Sequence, residues 1–167
     1  NMSRADIILV TKSPEKISPI QRRLVMKQIN KAAFQSLFFT SIKYLEPLPL
    51  FSGKKTAGNI LAGQKKESIG IVLVTGIANP DPLKEYLGTF AAEIIHLDFP
   101  DHHKYTEKDM FKISESFYKL NSSSKTIITT EKDAVRLIDF SNIAEPVRSS
   151  FYFIPVTVKF LNDDKHE

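Results

Sequence analysis

Short runs of consecutive apolar residues recur along the chain, separated by segments whose apolar positions repeat at three and four. Asp6-Ile-Ile-Leu-Val-Thr11 is the first such run, the pattern of a strand buried on both faces. Ser18-Pro19-Ile20-Gln21 follows, an N-cap with proline at the first helical position and a capping-box glutamine. Ile17, Ile20, Leu24, Val25, Ile29, Ala32 and Ala33 then keep helical spacing, so one face turns inward. Leu37-Phe-Phe-Thr-Ser-Ile42 predicts the next strand, which makes residues 1–43 a β-α-β segment.

From residue 44 to residue 68 the pattern breaks. Glu46-Pro-Leu-Pro-Leu50 carries two prolines, and Ser52-Gly-Lys-Lys-Thr-Ala-Gly58 and Gly63-Gln-Lys-Lys-Glu67 are polar and glycine-bearing. Such a stretch is no central element of a sheet. It predicts an extended two-stranded connector or a protruding hairpin between 1–43 and a second segment, 69–160, with 161–167 as a polar tail.

The second segment has the stronger pattern. Ile69-Gly-Ile-Val-Leu-Val-Thr75 reads as a buried strand, and Gly76-Ile-Ala-Asn79-Pro80 turns into a helix carrying Leu83, Tyr86, Leu87 and Phe90. Glu93-Ile-Ile-His-Leu-Asp98 is another strand, followed by the loop Phe99–Tyr105. Thr106 and Asp109 cap a helix whose apolar stripe is Met110, Ile113, Phe117 and Leu120. Lys125–Thr130 is a strand, Thr130-Glu-Lys-Asp133 caps the helix Ala134–Ile138, and Phe151–Thr157 is the last strand, with Pro155 placing its end near a sheet edge. Strands alternating with crossover helices predict an α/β fold, a three-layer α/β/α sandwich around a mostly parallel sheet.

Composition narrows the function classes. The 167 residues are 42% hydrophobic and 25% charged, a globular balance that excludes wholesale disorder. There is no cysteine, which removes disulfides, thiolate metal sites and cysteine nucleophiles and fits a reducing compartment. No apolar run approaches the roughly 20 residues that span a bilayer, and no signal peptide opens the chain. The net charge of +4 is compatible with an anionic substrate or a membrane surface, but its dispersal does not point to nucleic acid.

In parallel sheets, ligands bind beyond the carboxyl ends of the strands. Four polar loops follow predicted strands there: Thr11-Lys12, Thr75–Asn79, Asp98–Tyr105 and Thr129–Asp133. Capping alone accounts for Thr106/Asp109 and Thr130/Asp133. Gly76 has the place of a phosphate-loop glycine, yet no Gly-x-x-x-x-Gly-Lys-Ser/Thr occurs, and a tight strand-to-helix turn explains it as well. Asp98-Phe-Pro-Asp101-His102-His103 is the most informative cluster: two carboxylates and two imidazoles in six residues suit a divalent metal or a base paired with an acid. His96, inside an apolar strand, reads as a satisfied core histidine.

Four segments in this order, Arg4-Ala-Asp-Ile-Ile-Leu-Val-Thr-Lys12, Thr75-Gly-Ile-Ala-Asn-Pro80, Phe99-Pro-Asp-His-His-Lys-Tyr105 and Thr129-Thr-Glu-Lys-Asp-Ala-Val-Arg136, carry a resemblance. Together they resemble the C-terminal half of the tetraacyldisaccharide 4'-kinases, the lipid A 4'-kinases of Gram-negative bacteria, in a Bacteroidetes-like form. The resemblance implies a P-loop kinase at the cytoplasmic face of the inner membrane. With Mg²⁺ it transfers the γ-phosphoryl of ATP to the 4'-hydroxyl of a tetraacylated glucosamine disaccharide. It also implies two α/β/α lobes, a two-stranded connector and an acylated disaccharide bound between the lobes.

The family's Walker A loop, Asp-Asp-Gly-Phe-Gln-type motif and N-terminal membrane helix have no counterpart in this sequence. A P-loop lobe is therefore the implied partner, and the chain alone is expected to be inactive, without tight ATP or Mg²⁺ binding. By resemblance, His102 matches a histidine that pairs with a P-loop-side aspartate to activate the attacking hydroxyl, and Asp101 orients its ring. Thr75, Gly76, Asn79, His103, Glu131, Lys132 and Asp133 match a substrate or nucleotide rim. No metal ligand is assigned. Two other readings stand beside this one: a non-catalytic α/β module that binds a substrate or partner, and an Asp-His-His metal phosphoesterase. The latter needs further paired aspartates, and Asp6 stands alone in its strand.

Overall fold

The computed structural model describes residues 2–51, 60–61, 64–140 and 142–161. Along them run β1 (Ile7–Val10), α1 (Pro19–Ile29), β2 (Ser36–Tyr44), β3 (Leu48–Pro49), β4 (Ile69–Thr75), α2 (Asp81–Gly88), β5 (Glu93–Asp98), α3 (Glu107–Lys119), β6 (Ser124–Thr130), α4 (Glu131–Leu137), β7 (Phe151–Ile154) and β8 (Val156–Phe160). The helix starts follow local chemistry. Ser18 and Gln21 close a capping box on α1, with Pro19 in its first turn, and Asn30 ends it in the left-handed conformation at φ 47°. Thr106 and Asp109 form the same box on α3, and the Thr130 hydroxyl caps α4.

The chain divides into two compact units, Asn1–Tyr44 with Val156–Glu167, and Leu45–Pro155. In the first, β1 pairs parallel to β2 and β2 pairs antiparallel to β8, giving the order β1-β2-β8. Leu9 lies opposite Phe38, and Ile42 opposite Val158. Strand alternation therefore puts Ile7, Leu9, Phe38, Ile42, Val158 and Phe160 on one face, and all six are exposed. Phe39, on the other face, is buried, with the Arg22 guanidinium of α1 4.9 Å above its ring.

The second unit is built on β4, whose seven residues are all buried. Its sheet has the order β3-β7-β6-β4-β5, parallel throughout except for the antiparallel edge strand β3. Val72 and Val74 of β4 pack with Met110, Ile113 and Phe117 of α3 and Ala134 and Leu137 of α4 in one core. The alternate residues Ile71 and Leu73 face the other side, and α2 contributes the buried Leu83 and Leu87. Helices on both faces of a largely parallel sheet make this unit the three-layer α/β/α arrangement that the sequence pattern predicts.

The structure differs from the sequence expectation in three places. Residues 1–43 do form a β-α-β segment, but it belongs to a separate sheet. The expected last strand Phe151–Thr157 is two strands in two sheets, divided at Pro155. Proline has no N–H to continue a ladder, and its carbonyl instead accepts the Leu45 N–H at 2.9 Å. The stretch expected to be a connector or hairpin begins as part of the second unit. Leu48–Pro49 is the edge strand beside β7, and Leu50 and Phe51 enter the core, Phe51 edge-on to Phe151 at 5.7 Å. Burying two such side chains, at about 1.5–3 kcal/mol each, outweighs the poor strand propensity of the prolines. An edge position is also where a proline is tolerated. The expectations for residues 52–59 and 62–63, and for the tail beyond residue 161, lie outside the described residues.

Ile113 is fully buried at the centre of α3, whereas Phe111 on the same helix is 72% exposed. Ile113→Ala is expected to destabilise the fold by about 2–5 kcal/mol. Phe111→Ala should change it by no more than about 0.5 kcal/mol. Urea denaturation of both variants checks the contrast; equal losses would mean that α3 packs through a different face.

Candidate functional site

Three of the four polar loops come together at the carboxyl ends of β4, β5 and β6. The fourth, Thr11-Lys12, follows β1 in the other unit's sheet, with Lys12 left-handed at φ 55°. At the centre of the rim is Asp133, fully buried in the first turn of α4. Its Oδ2 accepts the Gly76 N–H at 2.9 Å and the Thr130 hydroxyl at 2.7 Å, and its Oδ1 meets Arg136 Nη1 at 3.2 Å. The Thr75–Pro80 and Thr129–Arg136 motifs thus meet each other. A Cβ on Gly76 would lie 2.9 Å from Asp133 Oδ1 and 3.2 Å from the Tyr105 hydroxyl, so only glycine fits. The buried Tyr105 hydroxyl faces this carboxylate without meeting it in hydrogen-bond geometry. Burial first, and then the Asp133 charge, raise its pKa.

His102 occupies the tip of the loop after β5. Its backbone is left-handed, φ 62°, a conformation uncommon for a non-glycine residue and concentrated at functional sites. The His102 N–H donates to Asp101 Oδ1 at 3.0 Å and to the Gly76 carbonyl at 3.3 Å, which ties the tip to the β4 end. The ring is 71% exposed, with Nε2 3.7 Å from Asp101 Oδ2 and Nδ1 3.2 Å from Arg136 Nη2. Lys132 Nζ donates to Asp101 Oδ1 at 2.8 Å and, as the main cause, holds that carboxyl below its ordinary pKa.

The neighbouring His103 is placed quite differently. Its Nε2 is 3.0 Å from Asp109 Oδ2, and its ring stacks on Phe99 at 4.7 Å and meets Tyr105 edge-on at 5.1 Å. It fastens the loop to the cap of α3. Burial works against the Asp109 carboxylate, but hydrogen bonds from His103 and Thr106 outweigh it and hold its pKa below the ordinary value. Thr75 is buried too: its hydroxyl lies 2.8 Å from His96 Nε2 and 3.3 Å from Asp98 Oδ1. His96 is accordingly a satisfied, half-buried histidine, its pKa lowered chiefly by burial. Asn79 and Glu131 are exposed on the rim. Among the described residues no three His, Asp or Glu side chains converge to hold a metal; Asp101 is engaged by Lys132 and His103 by Asp109.

The model of the tetraacyldisaccharide-1-P 4'-kinase family matches residues 1–167. The chain belongs to that family. A tetraacyldisaccharide 4'-kinase of Phocaeicola vulgatus is 40% identical over 98% of this chain and 44% of its own length. One from Parabacteroides distasonis is 39% identical over 96% of this chain and 43% of its own. The chain thus spans less than half the length of these curated relatives. A crystal structure of LpxK from Aquifex aeolicus in complex with ATP aligns with 95% of this chain and 49% of its own, at 14% identity and a TM-score of 0.47.

Arg136 and Tyr105 are the rim residues that sequence reasoning did not single out. Arg136 had a legible signal, since it follows Asp133 by three positions and shares its helix face. Tyr105 had none, because only the packing of the loop brings it beneath Gly76.

His103→Ala removes one charge-assisted hydrogen bond from Asp109, a loss of about 1.5–3 kcal/mol near neutral pH. Asp109 has a depressed folded-state pKa, so its contribution is present above the unfolded value of about 3.9 and fades as pH falls through the lower folded value. The stability gap between wild type and variant should therefore persist down to about pH 4 and close below it. Thermal melts across an acid pH series measure this, and a gap independent of pH would assign His103 a packing role only.

Proposed function

We propose that this chain is the C-terminal portion of a kinase that phosphorylates the 4'-hydroxyl of a tetraacylated glucosamine disaccharide in lipid A biosynthesis. In this reading it supplies the side of the site that faces the substrate hydroxyl. The observation that carries the reading is the Asp101-His102 tip, exposed at the carboxyl end of a parallel sheet and bonded to the Gly76 and Asp133 motifs, in a member of this family. Imidazole is the side chain suited to proton traffic near neutral pH. His102, with Asp101 beside it, works on the attacking hydroxyl in concert with an aspartate from the P-loop side of the whole protein. Phosphoryl transfer is mostly positioning and charge stabilisation, so this pair is one contributor among several.

ATP and Mg²⁺ are bound elsewhere in the whole protein. The described rim does not fit a triphosphate, because the Gly76 amide, which has the place of a phosphate-loop donor, is already committed to Asp133. The partner is accordingly a P-loop lobe, and the open apolar face of Ile7, Leu9, Phe38, Ile42, Val158 and Phe160 suits cover by that remaining polypeptide. A lipid substrate calls for work at a membrane surface, in this reading the cytoplasmic face of the inner membrane; no described helix is long and apolar enough to cross a membrane.

In the full-length protein, His102→Ala is expected to lower kcat by about a hundredfold to ten-thousandfold with the circular dichroism spectrum unchanged, and His103→Ala by much less. Near wild-type kcat for His102→Ala, or a larger loss for His103→Ala, would refute this assignment. A calorimetric titration of the 167-residue chain with Mg-ATP should show no saturable binding in the micromolar range, for want of a Gly-x-x-x-x-Gly-Lys-Ser/Thr loop. A clear isotherm there would place a nucleotide site on this chain.

A further inference from the structure

Arg136 touches both a fully buried and an exposed member of the rim. Its Nη1 is 3.2 Å from Asp133 Oδ1, and its Nη2 is 3.2 Å from His102 Nδ1. A guanidinium only donates. His102 Nδ1 is therefore the accepting nitrogen, and the neutral ring carries its proton on Nε2. We propose that Arg136 is a positioning residue that fixes the orientation and tautomer of His102, so that the ring presents an Nε2–H donor at the rim. The proposal rests on the role given to His102 above and adds the group that sets the ring.

The anchoring is what makes the contact effective. His102 sits on a loop tip with a 71% exposed ring, a position in which a side chain ordinarily samples several rotamers. Arg136, by contrast, is only 26% exposed and is held by a carboxylate that also binds the Gly76 amide and the Thr130 hydroxyl. Order in the sheet is thus passed to the ring through one planar fork. Lysine cannot reproduce this, because an ammonium is a point donor without the rigid two-armed geometry. The other charged groups around the ring are Asp101, 3.7 Å from Nε2, and Lys132, which engages Asp101. Neither holds Nδ1. In this tautomer the ring has no open lone pair for the hydroxyl proton, so it acts through its Nε2–H on the aspartate of the P-loop side, and that carboxylate takes the proton.

The test uses the full-length protein and Arg136→Lys, which keeps a cation for buried Asp133 and removes the second arm. In histidine-labelled protein, at a pH where the ring is neutral, the ring ¹⁵N shifts of His102 should report Nε2–H in wild type and a gain of the Nδ1–H form in Arg136→Lys. The variant should melt close to wild type and lose about ten- to a hundredfold in kcat, with KM little changed. Adding His102→Ala to it should cost no more than His102→Ala alone, because Arg136 acts through that ring. Unchanged ring shifts, wild-type kcat, or losses that add in full each overturn the proposal. If the shifts change as expected while His102→Ala itself keeps wild-type kcat, the contact stands and it is the proposed role of His102 that fails.

Discussion

The rim of the second unit depends on one buried carboxylate. Asp133 accepts hydrogen bonds from the Gly76 amide at the end of β4 and from the Thr130 hydroxyl and the Arg136 guanidinium of its own helix, which join two distant stretches of chain. A buried charge is tolerated only when its acceptor capacity is used in this way. The requirement propagates outward. Gly76 must be glycine because a Cβ would strike the same carboxylate, and its carbonyl receives the His102 N–H. The left-handed tip of the next loop is thereby placed by the end of β4. Loss of satisfaction at Asp133 would be felt at all three loops.

Capping and site-building are the same chemistry here. Thr130-Glu-Lys-Asp133 starts α4 as an ordinary N-cap, since the Thr130 hydroxyl accepts the Asp133 N–H at 3.1 Å. The capping geometry leaves the Asp133 carboxylate directed at β4, where it finds Gly76. Asp109 does likewise: it completes the cap of α3 and then receives His103. Two adjacent histidines consequently do different things. His103 is clamped between a carboxylate and the rings of Phe99 and Tyr105, whereas His102 is exposed and held from the side by Arg136.

The two units bear differently on function. All the rim contacts described lie within Leu45–Pro155, a closed α/β/α layer structure with a buried central strand. The other unit is a three-stranded sheet with an apolar face open to solvent. The chain passes from one unit to the other at Tyr44–Leu45 and back at Pro155–Val156, where the Leu45 N–H meets the Pro155 carbonyl. The curated relatives are more than twice as long as the part matched here.

Local signals in the sequence determined the element types, the helix starts and the rim loops. An unbroken apolar run such as Ile69–Thr75 has no stable alternative to burial, and caps such as Ser18, Thr106 and Thr130 act within one turn of themselves. The motif residues Asp101, His102 and Asp133 were legible as types in suitable loops. Partnership was not. The division of Phe151–Phe160 between two sheets, the docking of Leu48–Phe51 at the sheet edge, and the separation of His102 from His103 depend on contacts between residues far apart in the chain. Hydrophobic pattern states only that a segment must be buried. Which surface buries it, and which carboxylate a given histidine or arginine meets there, is decided by packing in three dimensions.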